Sequence, residues 1–248
     1  MSGHSKWATI KHKKGAADQA RAKVFAKLIR QVEVAAREGG GDPDTNASLR
    51  TMYQKARDAS VPLDTIQRAI KRGTGELEGV TYDQITYEGY AAGGVAMLVE
   101  VLTDNRNRSG SDVRNIFTKR GGSMAEPGAV AWQFERKGVL LVERNADEDS
   151  LMLASLDAGA EDLVDDGAAW RVTTPPGDLH AVRPAVEEAG YAVEAADLTM
   201  VAANLIPLVD VGAARQVIGL IDALEDLDDV QAVHANFDIS DEILTSMV

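Results

Sequence analysis

The hydrophobic periodicity of the chain changes near residue 84, and this change most strongly constrains the fold. Before it, apolar residues such as Phe25, Leu28 and Val32 recur at the spacing of one helical face. After it, residues 85–90 alternate between apolar and polar types, and 95–102 are apolar and rich in β-branched side chains. The chain therefore predicts a helical N-terminal part followed by a longer part that mixes strands and helices.

Three helices are expected in the N-terminal part. The first covers 18–37 and ends before a glycine run and Pro43. Asn46 is placed to cap the second helix, and Pro62 suits the first turn of the third, which ends at Gly73. These three helices predict a small bundle.

The part after residue 84 predicts two α/β units. Elements expected between 139 and 195 follow the order βαββαβ, the split βαβ or ferredoxin-like arrangement. The flanking elements are strands over 85–90, 95–102, 130–134, 199–202 and 230–237, with helices around 113–117 and over 212–224. If the flanking elements form one sheet, they make a second such unit that the first interrupts. The predicted fold class is α+β: an N-terminal helical domain and two ferredoxin-like α/β domains, one inserted in the other. The corresponding domains are 1–78, 79–136 with 197–248, and 137–196.

Charge is distributed very unevenly along the chain. Residues 1–75 hold 15 Lys and Arg against 7 Asp and Glu, whereas 76–248 hold 11 against 32, so that a basic end precedes an acidic body. A split of this size favours contact of the basic end with a polyanion such as nucleic acid. Acidic bodies also keep proteins soluble, which would explain the body but not the basic end.

The basic end contains an arm and a helical stripe that are the candidate nucleic-acid-binding residues. The arm has few apolar residues and carries Lys6, Trp7, Lys11, His12, Lys13 and Lys14. The stripe is formed by Lys23, Lys27, Arg30 and Arg37, nearly opposite the apolar face of the first helix, and its first three members are the candidates. A stripe alone is more often a solvated face; the neighbouring arm favours phosphate contact. Trp7 either stacks on a base or packs the arm onto the helices, and we favour packing.

A second group of cations lies in the acidic body. Arg106 and Arg108 precede further cations on the next helix and could extend a phosphate-binding surface. Equally, Asp104 and Asn105 could cap that helix while the arginines pair with carboxylates. The acidic run 225–229 could bind a hard cation, but a solvated helix end is the favoured interpretation.

Sequence motifs for catalysis, metal binding or a membrane span are missing. The chain has no cysteine, no Gly-x-Ser-x-Gly elbow and no phosphate loop, and its four histidines lack metal-ligand spacing. No apolar run approaches the roughly 18 residues of a membrane span, and no signal peptide is recognisable. We therefore expect a cytoplasmic protein, favoured as a monomer, that is not an enzyme and has no metal, cofactor or membrane partner.

Several longer motifs carry a resemblance to a known family. They are Gly3-His4-Ser5-Lys6-Trp7, the Gly-Gly-Gly-Asp-Pro run at 39–43, Tyr87-Glu88-Gly89-Tyr90, Asp104-Asn105-Arg106-Asn107-Arg108, the segment 220–226 and His234-Ala235-Asn236-Phe237. In this order they closely resemble the YebC/PmpR family over nearly the full chain. The resemblance implies a cytoplasmic protein of three domains, and the family supplies no catalytic residues.

The resemblance implies one of two functions. The first is a transcriptional regulator that binds promoter DNA through phosphate contacts of the basic N-terminal domain. The second is a ribosome-associated, RNA-binding translation factor that helps synthesis through proline-rich stretches, as implied by a mitochondrial relative that activates translation of a cytochrome oxidase subunit. The residues alone lean slightly towards RNA, because no helix carries an evident base-reading set of Asn, Gln and Arg.

Overall fold

The computed structural model describes residues 18–240 together with 242, 243 and 246, and for 18–21 it describes the backbone. The first part is a helical unit of three helices: α1 (Asp18–Gly39), α2 (Ala47–Asp58) and α3 (Leu63–Gly73). The predicted apolar face of α1 is buried against α2 and α3 through residues such as Val32, Leu49 and Ile66. The three predicted helices are confirmed.

Asn46 joins the first two helices. Its Oδ1 accepts a hydrogen bond from the Leu49 amide (3.0 Å), and its Nδ2 donates to the carbonyls of Ala35 and Gly40 (both 2.8 Å). The side chain therefore caps the start of α2 and satisfies carbonyls at the end of α1.

An outer α/β unit comes next, and it is interrupted in sequence. It consists of β1 (Asp83–Tyr90), β2 (Ala96–Thr103), α4 (Arg106–Lys119) and β3 (Ser123–Ala125), and later β8 (Ile206–Leu208), α7 (Val211–Glu225), β9 (Val230–Ala235) and β10 (Phe237–Ile239). Four strands form an antiparallel sheet in the order β3-β1-β2-β9, and β8 pairs with β10 in parallel. Both helices pack on the large sheet around a core that includes Phe117, Leu220 and Phe237.

The interruption is an inserted α/β unit with the predicted order βαββαβ. Its elements are β4 (Phe134–Glu143), α5 (Glu148–Asp157), β5 (Asp162–Asp165), β6 (Ala169–Thr174), α6 (Leu179–Glu188) and β7 (Val193–Ala202). The strands form an antiparallel sheet in the order β5-β6-β4-β7, with a core around Leu140, Leu151 and Val186. The protein is thus of the α+β class, as predicted.

Three predicted strands differ in the structure, and the one expected over 230–237 is interrupted at Asn236, so that β9 and β10 are separate strands. The segment 130–134 is a 3₁₀ turn, Ala131–Gln133, which leads into β4. The Glu88 carboxylate accepts the Val130 and Ala131 amides at 2.6 and 2.9 Å, so these donors are not available to a sheet ladder. The strand expected over 199–202 is the end of β7, which pairs with β4 in the inserted sheet.

Two of the predicted domain boundaries fall within continuous strands. β4 runs through the bound at 136, and β7 runs through the bound at 196. The division of the chain into three domains at these residues stays a prediction. Within the described residues, no helix combines the length and apolarity needed to cross a lipid bilayer.

Candidate nucleic-acid interface

The candidate residues separate into two groups. Lys6, Trp7, Lys11, His12, Lys13 and Lys14 lie outside the described residues. The others, Lys23, Lys27, Arg30, Arg106 and Arg108, lie on α1 and α4. Their contacts show what the described part of the basic surface does within the folded chain.

The cationic stripe of α1 contacts the C-terminal end of α7. Lys23 Nζ donates to the carbonyl of Asp226 at 3.1 Å and lies 3.4 Å from its carboxylate. Lys27 Nζ donates to the carbonyl of Glu225 at 2.6 Å. Carbonyls at a helix C-terminus carry partial negative charge, so they attract cations. The acidic run 225–229, interpreted from the sequence as a solvated helix end, is therefore partly a docking surface for α1.

Arg30 completes this joint between α1 and the α7–β9 connection. Its Nη1 donates to the carbonyl of Asp228 at 3.0 Å and to Oδ1 of Asp229 at 2.9 Å. The guanidinium also lies 5.5 Å from the ring centroid of Tyr82, within the range of a cation–π interaction. We call Lys23, Lys27 and Arg30, with Glu225, Asp226, Asp228 and Asp229, the α1–α7 joint.

Asp229 is the centre of the joint. Its Oδ2 accepts hydrogen bonds from Arg108 Nη2 (2.7 Å), Ser109 Oγ (2.7 Å) and Thr103 Oγ1 (3.0 Å), while Oδ1 accepts from Arg30. Burial raises the pKa of Asp229, but these four hydrogen bonds outweigh burial and hold the pKa at about 2. The carboxylate is therefore ionised over the whole physiological range and links α1, β2 and α4.

At the start of α4, the contacts favour the second interpretation given above, in which the helix is capped and its arginines pair with carboxylates. Asn105 caps the helix by accepting the amide of Arg108 at 3.1 Å. Arg108 bridges Asp229 and Asp104, with 2.8 Å to the Asp104 carboxylate, and hydrogen bonds to both carboxylates raise its pKa. Arg106 differs, because its side chain is 67% exposed and reaches Asp83 at 4.0 Å. Arg106 therefore remains accessible to a phosphate, whereas Arg108 is held by two carboxylates.

A cavity of about 670 Å³ lies beside the α1–α7 joint. Its walls include Lys23 and Arg30 from α1, Arg108 from α4 and Asp226 and Asp229 from the α7–β9 connection. Charged groups thus form most of the lining of this cavity, beside the apolar Val80, Val113, Leu227 and Val230. Among the residues that the structure describes, no group of three or more metal-ligating side chains is placed to hold an ion.

Sequence reasoning missed Asp229, Thr103 and Ser109. Asp229 stands in an acidic run and Thr103 ends a strand, so neither residue belongs to a recognisable motif. The signal available was indirect: a basic stripe and an acidic run, far apart in sequence, have opposite charges. No local pattern states that two such segments meet.

The fold and this joint define a class of protein: a basic helical N-terminal unit docked by ion pairs onto an acidic α/β body that contains a second, inserted α/β unit. Residues 5–76 match the family described as TACO1/YebC protein N-terminal domain, and 82–237 match that described as TACO1/YebC second and third domain. The chain belongs to the TACO1/YebC family, which confirms the resemblance seen in its motifs.

Relatives match over nearly their entire lengths. A protein of Rubrobacter xylanophilus is 58% identical over 100% of this chain and 99% of its own. One of Citrifermentans bemidjiense is 52% identical over 100% of both chains. Both are named probable transcriptional regulatory proteins, a role that is not catalytic. The crystal structure of a conserved hypothetical protein from Aquifex aeolicus is similar with a TM-score of 0.83 and 44% identity, covering 92% of this chain and 94% of that one.

Proposed function

We propose that this protein is a transcriptional regulator that acts in the cytoplasm and contacts DNA phosphates through its basic N-terminal end. The observation that carries the proposal is the charge split: 15 Lys and Arg against 7 Asp and Glu in 1–75, followed by an acidic body. Phosphates attract the first part and repel the second. The names of the relatives support a regulatory role.

The α1–α7 joint assigns different tasks to the candidate residues. Lys23, Lys27 and Arg30 hold α1 against the body, so α1 has a fixed direction relative to the two sheets. The arm is joined directly to this anchored helix. The proposal therefore places the main phosphate contacts on Lys6, Lys11, Lys13 and Lys14, with Trp7 and His12 beside them, and a further contact on exposed Arg106.

A second candidate function is an RNA-binding, ribosome-associated translation factor that helps synthesis through proline-rich stretches. One observation favours it. α2 is attached to the inserted unit by Lys55–Asp197 (2.7 Å) and Asp58–Arg183 (2.7 Å). In a helix-turn-helix the first helix crosses the DNA backbone, and this attachment occupies part of α2. With α2 occupied in this way, recognition of nucleic-acid shape and backbone is favoured over reading of bases by a pair of helices.

The first experiment measures the role of the arm. The change Lys11→Ala with Lys13→Ala and Lys14→Ala removes three cations, so affinity for duplex DNA should fall. The slope of log affinity against log salt should flatten by about 2.7, or by about 2.1 on a single strand. The slope is measured by fluorescence anisotropy across a salt series.

A matched control removes the same charge from the acidic body: Lys137→Ala, Arg144→Ala and Arg215→Ala. These residues lie on the inserted unit and α7, and the slope should stay at its wild-type value. Equal slopes in wild type and the arm variant would contradict the proposal.

A second experiment separates DNA from RNA. Cell lysate is sedimented on a sucrose gradient with and without nuclease, and the co-purified DNA and RNA are compared. Enriched promoter fragments support the regulator. Co-sedimentation with ribosomes that RNase abolishes, without enriched DNA, supports the translation factor.

A further inference from the structure

A second cavity lies between the helical unit and the inserted unit. It has a volume of about 520 Å³, within the range of roughly 300–1,000 Å³ typical of small-molecule sites. One wall is formed by α2, and the opposite wall by α6 with parts of β4 and β7. Ligand sites occur preferentially at such joints between units.

This cavity is strongly biased towards positive charge. Arg50, Lys55, Arg136 and Arg183 line it together with His180, whereas Glu187 is its one lining carboxylate in the part of the chain that the structure describes. The cavity beside the α1–α7 joint has the opposite balance, with five aspartates against three cations. In a chain of net charge −13, four cations around one small cavity are a local concentration of positive potential.

Two of the five basic side chains that line the cavity have no hydrogen bond or ion pair within the described residues. Lys55 pairs with Asp197, and Arg183 pairs with Asp58 and Glu187. Arg136 and His180 are exposed, and neither forms a hydrogen bond or ion pair with any residue between 18 and 240. Arg136 lies near Glu100, whose pKa is lowered by its hydrogen bond to His234 and, to a smaller degree, by the charge of Arg136. The cavity therefore presents a guanidinium and an imidazole whose donors are open to a ligand.

Part of the cavity lining is apolar. Leu179, Pro184, Ala196 and Leu198 contribute to its lining, and Leu179 is buried. Apolar atoms thus lie beside the two open donors. A ligand that suits both must combine a negative group with an apolar body.

We propose that this cavity binds a small organic anion, with a phosphate or carboxylate group on Arg136 and His180 and a flat apolar body against Pro184 and Leu198. The bound molecule contacts α2 and the inserted unit together, so it holds the two units in their observed arrangement. This site is separate from the phosphate contacts of the arm and does not depend on them.

The test uses adenosine 5′-monophosphate and 1-anilinonaphthalene-8-sulfonate as anionic probes, and adenosine as the uncharged counterpart of the first. Isothermal titration calorimetry of the full chain should show that each anion binds saturably, with one molecule bound per protein chain. Adenosine should bind about tenfold more weakly or worse, because the charge-assisted hydrogen bonds are lost. Anion binding should also raise the thermal unfolding midpoint.

The variants locate the site. Arg136→Ala should weaken binding of adenosine 5′-monophosphate by about tenfold, and His180→Ala should weaken it in the same direction. Arg57→Ala is the matched control: Arg57 is an exposed arginine on α2 that does not line the cavity, and its change should leave binding unaltered. All three substituted side chains are exposed, so each variant should keep the wild-type unfolding midpoint without ligand.

Three results would overturn the proposal. They are the absence of saturable binding of both anions, equal affinity for adenosine and its monophosphate, and unchanged affinity in both Arg136→Ala and His180→Ala.

Discussion

At the scale of single residues, Asp229 determines how the basic end meets the body. Its side chain is 14% exposed and accepts hydrogen bonds from three elements, α1, β2 and α4. A carboxylate with this many donors is stabilised in its charged form. Removing the charge leaves the partly buried guanidinium of Arg30 without its counter-ion, which is costly because the partner remains desolvated.

We expect Asp229→Asn to lower the free energy of unfolding by about 2 kcal/mol, measured by urea denaturation. Asp228→Asn is the control, because the exposed Asp228 contributes its carbonyl to Arg30 and should change stability little. Equal stabilities of the two variants would exclude a special role of the Asp229 carboxylate.

The same carboxylate predicts a pH dependence. The pKa of Asp229 is about 2 in the folded chain, below the ordinary value of 3.8, so folding favours its charged form. Its contribution to stability is full above the unfolded pKa and is lost as the pH falls from about 4 to about 2. Over that window the wild type should lose more stability than Asp229→Asn, as urea titrations at several pH values would measure. Equal losses of stability in the wild type and in Asp229→Asn would contradict this pH dependence.

At the scale of elements, Glu88 shapes the segment that leads from the outer sheet into the inserted one. Its carboxylate on β1 accepts the amides of Gly128 and Val130 (both 2.6 Å) and of Ala131 (2.9 Å). Burial raises the pKa of Glu88, and the three backbone hydrogen bonds lower it below its ordinary value. One carboxylate thus accepts the hydrogen bonds of three amides that would otherwise need partners in a neighbouring strand. The chain can therefore turn here and continue into β4.

Glu88→Gln keeps the shape of the side chain but provides a single acceptor oxygen. We expect faster amide hydrogen exchange at Val130 and Ala131 and a loss of about 1–3 kcal/mol in stability. Glu126→Gln, an exposed change in the same segment, should leave both amides protected. Unchanged exchange in Glu88→Gln would show that the turn holds without this carboxylate.

At the scale of the whole molecule, two groups of contacts attach the helical unit to the body in the part of the chain that the structure describes. The α1–α7 joint attaches it to the outer unit, while Lys55–Asp197 and Asp58–Arg183 attach it to the inserted unit. Both attachments consist of charged groups beside cavities, and the apolar core of the helical unit is separate from the cores of the other two units. Ion pairs with exposed members are screened by salt, so the arrangement of the units should depend on ionic strength.

We expect Lys23→Ala with Lys27→Ala and Arg30→Ala to increase the radius of gyration measured by small-angle X-ray scattering, because the joint loses its donors while the core of the helical unit stays intact. The matched control is Arg57→Ala with Arg68→Ala and Lys71→Ala, which removes the same charge from exposed positions on α2 and α3. Indistinguishable scattering of the two variants at low and high salt would argue against an electrostatic joint.

Local patterns of residues were enough to predict the types of the elements. Helical spacing in 18–73 and strand alternation after 84 follow from local burial, so the helices, the βαββαβ order and the α+β class were predictable. The charge split between the two ends was equally visible. These features depend on residues a few positions apart.

The partners of the charged groups and the conformation of the ambiguous segments depend on how the units pack. Lys27 and the carbonyl of Glu225 are 198 positions apart, and Glu88 reaches Val130 across 42. Whether a lysine stripe faces solvent or a helix end, and whether 130–134 joins a sheet, depends on which groups the packed units bring within about 3 Å of each other. Local periodicity cannot specify such partners, because it encodes which face is buried and not what lies against it.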